Sequence, residues 1–436
     1  MLIHKRFPWL ATFSIALLTF AICSAAQQKI SKVDLERARA VLHHVKELIA
    51  KNYYDPTFHG YDLDARFLKA DQKLADVNSF EMGMNVVGWA VQGLGDSSTT
   101  FIPPFRNVVV YNGWRMQMIG KSCVILAVEP KSDTWKEGLR PGDVVQKVED
   151  YEPSRTNFAQ IRYIFSVLAP LAQYHFVVAS PGQPFRSVTT RSRLVNIPLT
   201  NMPGATTRQE LRRIAEGDGD LYKTRAVEVN EKLIIWKMPA FRFPETEIKR
   251  ELAASKKHET LILDLRENSG GSEDDLLRMI GSFFDHDITV GENIEREKTE
   301  PLNAPSLGDQ SFTGKLIVLV NSSSASAAEI FARVVQLEKR GLVIGDQTAG
   351  AVGRSLLFPD TPGLMYHLQV TIARLKMSDG ADLEGKGVTP DTLMLPTPAD
   401  LAEGRDPVLS AAAQLAGVQL SPEEAAKMFP VVWPTY

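Results

Sequence analysis

Leu316-Ile317-Val318-Leu319-Val320-Asn321-Ser322-Ser323-Ser324-Ala325-Ser326-Ala327-Ala328-Glu329-Ile330 passes from an unbroken apolar pentad, through a serine-rich turn, into residues spaced for a helix. A strand that is apolar on both faces needs cover on both, which is how strands of parallel sheets between helical layers read. Ile330, Val334 and Leu337 then share one helical face. The same alternation recurs on either side of this stretch. A strand over 233–236 precedes a helix over 246–254, a strand over 261–265 precedes a helix over 274–284, and the helix ending at Leu337 precedes a strand over 342–344. Strands separated by helices predict an α/β core with a largely parallel sheet, spanning 193–400.

The flanking segments have other periods. Leu35, Val41, Leu42, Val45, Leu48 and Ile49 fall on one helical face, and a second helix is expected over 79–91, so 27–105 reads as a helical module. Gly93, Gly95 and Asp96 break that pattern before Ser97-Ser98-Thr99-Thr100 and the stop at Pro103-Pro104. Short runs of β-formers over 123–128 and 144–148 make 106–192 a small β domain. Its marker is the turn Gly138-Leu139-Arg140-Pro141-Gly142-Asp143, which feeds the strand at Val144. Residues 401–436 read as a C-terminal helical segment packed on the outside. The whole is a mixed α+β multidomain chain.

With 436 residues, 44% hydrophobic and 23% charged, the chain is long enough for several packed domains, and its composition excludes a disordered tail, a collagen and a polytopic membrane protein. The net charge is −3 and basic residues are not gathered in runs, so nucleic acid is not an expected partner. The N-terminus has Lys5 and Arg6, an apolar run from Phe7 to Cys23, and the small residues Ser24-Ala25-Ala26. That is the pattern of a secretory signal over 1–26, cleaved after Ala26. An uncleaved anchor is the alternative, but the run barely reaches spanning length. The expected product is periplasmic or secreted, and not an integral membrane protein. Cys23 follows Ile22, where a lipid attachment site wants a small residue. Cys123 is then the one remaining cysteine, so no internal disulfide can form. No metal or cofactor is expected, since Cys-x-x-Cys, His-Glu-x-x-His and calcium-loop patterns are absent and His43-His44 point apart on a helix.

Two segments carry candidate chemistry. Ser326 sits where a strand turns into a helix, beside the unpaired N–H groups and positive dipole end of the helix N-terminus, features that stabilise an oxyanion. The same Ser326-x-x-Glu329 spacing is also a capping box, and on spacing alone the cap is the commoner reading. Asp264-Leu265-Arg266-Glu267-Asn268-Ser269-Gly270-Gly271 ends a buried strand in a diglycine turn, where backbone N–H groups can approach a ligand closely. Gly345-Asp346-Gln347-Thr348-Ala349-Gly350 lacks the Gly-Lys-Ser/Thr ending of a phosphate loop.

Taken in order, 263–271, Ser324-Ala325-Ser326-Ala327-Ala328-Glu329-Ile330, 345–350 and Glu384-Gly385-Lys386-Gly387-Val388-Thr389-Pro390-Asp391 resemble the C-terminal processing, or tail-specific, serine peptidases. The β domain, with the strand Trp114-Arg115-Met116-Gln117-Met118 ahead of that turn, resembles a PDZ domain, which adds the end of a peptide to a sheet edge. The resemblance implies a crotonase-like core and a nucleophile at Ser326. It places the oxyanion donors at Ala327, Gly270 and Gly271, and peptide binding at Trp114, Arg115 and Met116. One branch of the family activates its serine with a lysine, and that position here is Ala351. The tricorn-like branch uses a histidine and a glutamate; Glu384 matches the glutamate, and Ser98 stands where the histidine would be. His367, Lys376 and Lys386 are the remaining candidates for a base.

Two functions follow from these residues. The first is an exported endopeptidase acting on proteins with exposed C-terminal tails. The second is a weak or inactive relative that binds peptide tails or small apolar ligands. An adaptor role for the β domain alone is a third and lesser reading.

Overall fold

The computed structural model describes residues 30–104, 108–196, 224–358, 366–431 and 433; the expected signal segment lies outside them. Three helices open the chain: α1 Lys32–Asn52, α2 Leu63–Leu74 and α3 Phe80–Gln92, capped at Ser31, Asp62 and Ser79 by side chains that accept from the first turn. Leu42, Val45, Ile49, Phe67, Leu74 and Val87 meet in one core, as the helical spacing predicts. The second of these helices has no counterpart in the sequence reading. The core continues past β1 (Thr100–Ile102) and takes in Leu368 and Val370 from a strand far along the chain.

A β-rich unit follows. A ribbon of β2 (Val108–Tyr111) and β8 (Arg193–Asn196) flanks an antiparallel sheet in the order β3-β4-β5-β6-β7. Its strands are β3 Trp114–Ile119, β4 Ser122–Val128, β5 Val144–Val148, β6 Gln173–Ala179 and β7 Arg186–Arg191. The short helices α4 (Asp133–Lys136) and α5 (Phe158–Tyr163) complete it, the latter running into a π-helical turn at Ile164–Leu168. Trp114, Cys123, Ile125, Phe165, Tyr174 and Phe176 form its own core. Burial pushes the Cys123 thiol up to about 12, so it is an inert packing residue. Among the described residues β3 pairs only with β4 and is an edge.

The third part holds the expected parallel sheet, in the order β18-β15-β14-β11-β10-β9. Here β10 (Leu233–Lys237), β11 (Thr260–Asp264), β14 (Lys315–Val320), β15 (Gly341–Gly345) and β18 (Thr392–Leu393) are parallel, and β9 (Arg225–Asn230) closes one edge antiparallel. Alternate residues serve opposite faces. Ile234, Trp236, Leu261, Leu263, Leu316 and Val318 pack under α6 (Glu245–Ser255), α7 (Glu273–Gly281) and α8 (Ala327–Leu337), while Leu233, Ile235, Ile262, Ile317 and Leu319 pack under the C-terminal helices. Those helices are α9 Pro398–Ala402, α10 Pro407–Leu415 and α11 Pro422–Met428, with α10 and α11 lying outside the sheet as the sequence suggests.

A second, antiparallel sheet in this part was not foreseen. It joins β12 (Ile288–Glu295), β13 (Thr299–Ala304), β16 (Arg354–Phe358) and β17 (His367–Met377) to β1. Through β1 and β17 it ties the helical N-terminus to the α/β part. Among the described residues, no helix is long and apolar enough to cross a membrane.

Candidate active site

The site is built at the carboxyl ends of the neighbouring parallel strands β11 and β14, where open α/β sheets place their ligand crevices. Two turns leave those ends and are stitched together. The buried Ser324 hydroxyl donates to the Leu265 carbonyl (2.8 Å) and accepts from Asn321 N–H (2.9 Å), and Ala325 N–H donates to the Asn268 carbonyl (2.8 Å). Asn268 is itself buried: its Nδ2 donates to the Met238 carbonyl (2.7 Å), and its Oδ1 accepts from Gly270 N–H (2.9 Å).

Ser326 sits at the head of α8 with φ 56° and ψ −119°, a conformation that L-residues rarely adopt. An ordinary N-cap has β-region angles, and this one does not. Ser326 and Glu329 form a capping box, in which Ser326 N–H donates to Glu329 Oε2 at 3.0 Å. The half-buried hydroxyl thus sits at a helix N-terminus on a backbone in a rare conformation, which distinguishes it from a plain capping serine. Among the described residues, no acceptor meets the N–H of Ala327 or of Gly271. Those two donors can serve a developing oxyanion. Gly270 N–H, expected to be a third, is already bound to Asn268. The role of Gly270 is steric: a Cβ there would lie 2.5 Å from the Ser326 Cβ. A Gly270→Ala variant, also strained by φ +90°, is expected to lose about 1–3 kcal/mol of stability, read by urea denaturation, and to displace Ser326.

Glu329 does more than the sequence suggested. It is fully buried and accepts four hydrogen bonds: Ser326 N–H, Thr348 Oγ1 (2.5 Å) and Gly350 N–H (2.7 Å), with Ala351 N–H at 2.8 Å. Burial raises its carboxyl pKa, and those donors oppose the rise. Glu384 takes the next two amides of the same loop, Val352 N–H (2.9 Å) and Gly353 N–H (3.2 Å), and also Ser97 N–H (3.1 Å). Residues 350–353 thus hang between two carboxylates. Ala351 lies one hydrogen bond from the carboxylate that holds Ser326, and Ser98 lies beside Gly353, whose missing Cβ would be 3.2 Å from the Ser98 hydroxyl oxygen. Ser326, Ala351, Glu384 and Ser98 therefore belong to one connected region.

The other candidate bases do not join it. His367 opens β17 opposite Ile102, Lys376 is exposed opposite Glu292, and Lys386 is exposed beside 347–350. Among the described residues, no hydrogen bond links any of them to the Ser326 hydroxyl.

A buried ion network lies beneath the first turn. Asp264 is fully buried; its carboxylate accepts from Arg266 Nε (2.9 Å) and Nη2 (2.8 Å), and from Lys237 Nζ (3.3 Å). Arg266 also grips Asp406 at 2.9 and 2.8 Å, and Asp406 caps α10 through Leu409 N–H (3.0 Å). Burial alone would raise the Asp264 pKa; Arg266 first and Lys237 second overcome it and hold the carboxyl well below the usual carboxylate range. An aspartate ending an otherwise apolar strand was the available signal for this network.

The β-rich unit is docked against the same loops. Arg155 pairs with Asp346 (2.6 Å) and donates to the carbonyls of Gly120 (2.8 Å) and Gln347 (2.7 Å), while Gly120 N–H donates to Asp346 (2.8 Å). Gln117 reaches the Ser322 hydroxyl at 3.2 Å, and that hydroxyl bonds the Met118 carbonyl. A cleft of about 660 Å³ runs from β3 to Lys237, Ser269, Asn321 and Ser323, stopping short of Ser326 itself. Trp114, Arg115 and Met116 line it. Trp114 is mainly a core residue, with its ring edge-on to Tyr174 and Phe176 at 5.4 and 5.1 Å.

Residues 237–394 match the model of peptidase family S41. A probable CtpA-like serine protease of Staphylococcus haemolyticus is 26% identical over 305 residues, 68% of this chain and 55% of that protein. The tail-specific protease of Haemophilus influenzae is 33% identical over 175 residues, 37% of this chain and 24% of that protein. The chain thus spans about half of the first relative's length and a quarter of the second's. The structure of mature CPAF complexed with lactacystin shares the fold, with a TM-score of 0.64 and 15% identity over 85% of this chain and 96% of that one. The two stitched turns and the helix of Ser326 fall inside the matched segment, so the part of the chain that carries the site is the part that is similar to peptidase family S41 and to these serine proteases.

Proposed function

We propose that this chain is an exported serine endopeptidase that takes exposed C-terminal protein tails on β3, as a PDZ-like domain does, and hydrolyses a peptide bond at Ser326. The observation that carries the reading is the placement of Ser326: a half-buried hydroxyl in a rare backbone conformation at the head of α8, beside the unengaged N–H groups of Ala327 and Gly271. Attack by Oγ on the scissile carbonyl carbon puts negative charge on the carbonyl oxygen, which those amides would accept. Collapse of that intermediate breaks the C–N bond, the amine leaves with a proton relayed by solvent from the Ser326 hydroxyl, and water then hydrolyses the acyl-enzyme to a carboxylate and free Ser326. The edge position of β3 supports tail capture, because an edge strand offers unpaired N–H and C=O groups to an added peptide. Export rests on the charged and apolar pattern of residues 1–26.

The proton of Ser326 has no protein acceptor among the described residues, and solvent is left as its base. Turnover should be slow, since a positioned general base is commonly worth ~10²–10⁴ in rate. That same observation favours the second reading, a binding protein in which Ser98 and Ala351 mark lost chemistry. The two are separated by incubating the parent and Ser326→Ala with an unfolded, reduced and alkylated protein, and following fragments by mass spectrometry over days. Cleavage by the parent, falling to the uncatalysed background in Ser326→Ala, is the expected outcome. Equal fragment patterns from both folded samples would remove the peptidase reading and leave tail binding.

A further inference from the structure

Resting on the reading of β3 as a tail-binding edge, we propose that Phe429, Pro430, Val431 and Trp433 of this same chain form a strap across the mouth of the β3 cleft, which an incoming peptide must displace. Besides the α/β residues already named, the cleft has two further walls. One is the β-rich unit itself, with β3, Arg162, Phe165 and Val167. The other comes from the end of the described chain: Phe429, Pro430, Val431 and Trp433 line the same space. The Trp433 ring lies 5.2 Å from the guanidinium of Arg115, which belongs to β3, and the Phe429 ring lies 5.4 Å from that of Arg225.

The segment is held at its start by the core. Ala425 of α11 is buried in the core under the parallel sheet, and Phe429 packs against that core. Past Pro430 the described residues have no helix or strand, and their recorded ring contacts are to cationic side chains. Contacts of this type at partly exposed sites are weak, so they can be exchanged for a ligand. Because the strap is tethered, it competes at a high effective concentration without binding tightly. It lowers the apparent affinity for a peptide by the fraction of molecules in which the cleft is open.

The test uses the full chain and two readings: hydrogen exchange over 114–119 and 429–433, and anisotropy of a fluorescein-labelled Gly-Ser-Leu-Val-Ala-Ala peptide with a free carboxylate. Trp433→Ala should speed exchange at 114–119 and tighten probe binding, each by about 3–10-fold. Trp433→Phe, which keeps a ring for Arg115, should stay near the parent. Arg115→Gln removes the partner from the other side, and should speed exchange at 429–433 even if the tryptophan variant folds poorly. Unchanged exchange in both variants would overturn the strap. Weaker probe binding in Trp433→Ala would do so too, by making Trp433 part of the binding wall. Faster exchange with no probe binding in any variant would keep the strap and remove the tail-binding reading.

Discussion

Ser98→His is expected to raise peptide hydrolysis by about 10²–10⁴ over the parent, the usual worth of a positioned general base. The partner that such a histidine needs is already in place. Glu384 is fixed by Ser97, Val352 and Gly353 N–H groups, adjacent in chain and space to position 98. A carboxylate so held can take the N–H of an imidazole and leave its other nitrogen to face the serine, the geometry on which serine activation depends. Room at position 98 comes from Gly353, where any side chain would crowd it. The gain should carry a signature: activity that rises as the imidazole loses its proton, around the ordinary histidine pKa of about 6.5, and is absent from the parent profile. Pairing Ser98→His with Glu384→Gln should return most of the gain. A folded Ser98→His protein no faster than its parent, with a flat profile, would show that position 98 does not address Ser326.

Arg266→Met should cost about 3–5 kcal/mol of stability, measured by urea denaturation, because it leaves the fully buried Asp264 with Lys237 as its only cation. It also releases Asp406, and with it the cap of α10, which covers the outer face of the parallel sheet. The double variant Asp264→Asn/Arg266→Met should recover a large part of the loss, since no unpaired charge stays buried. The pH dependence has a definite sign. Asp264 has a folded pKa depressed below its unfolded value, so its contribution is complete above the unfolded pKa of about 3.9 and is lost only as pH falls through the lower folded value. The parent should therefore keep this contribution at pH 4, where ordinary surface pairs are fading. A loss below about 1 kcal/mol in Arg266→Met would place the network among solvent-screened pairs and refute the argument.

The parallel strands were legible because Leu316–Val320 and its neighbours are apolar on both faces, a pattern that needs no knowledge of partners. The antiparallel sheet was not read, although β17 alternates: its partners include β1, and Thr99 and Thr371, which bond across that junction, are 272 positions apart. The candidate site divides the same way. Ser326 and the diglycine turn announce themselves by local spacing. Glu329 looks like any capping glutamate, and only the folded chain reveals that Thr348, Gly350 and Ala351 converge on it. Arg266 and Asp406 are joined over 140 residues, a pairing that neither local segment encodes. For Gly270 the sequence does not show that its amide is bonded to Asn268, because a glycine that makes room and one that offers an amide read alike.

The loop slung between Glu329 and Glu384 is held by its peptide groups. Position 351 therefore offers a vantage point: its backbone is pinned to the oxygen that also holds Ser326, while its methyl group bears none of the load. A small fluorinated or isotopically labelled residue introduced there would report on changes at Ser326 without altering the scaffold that it observes.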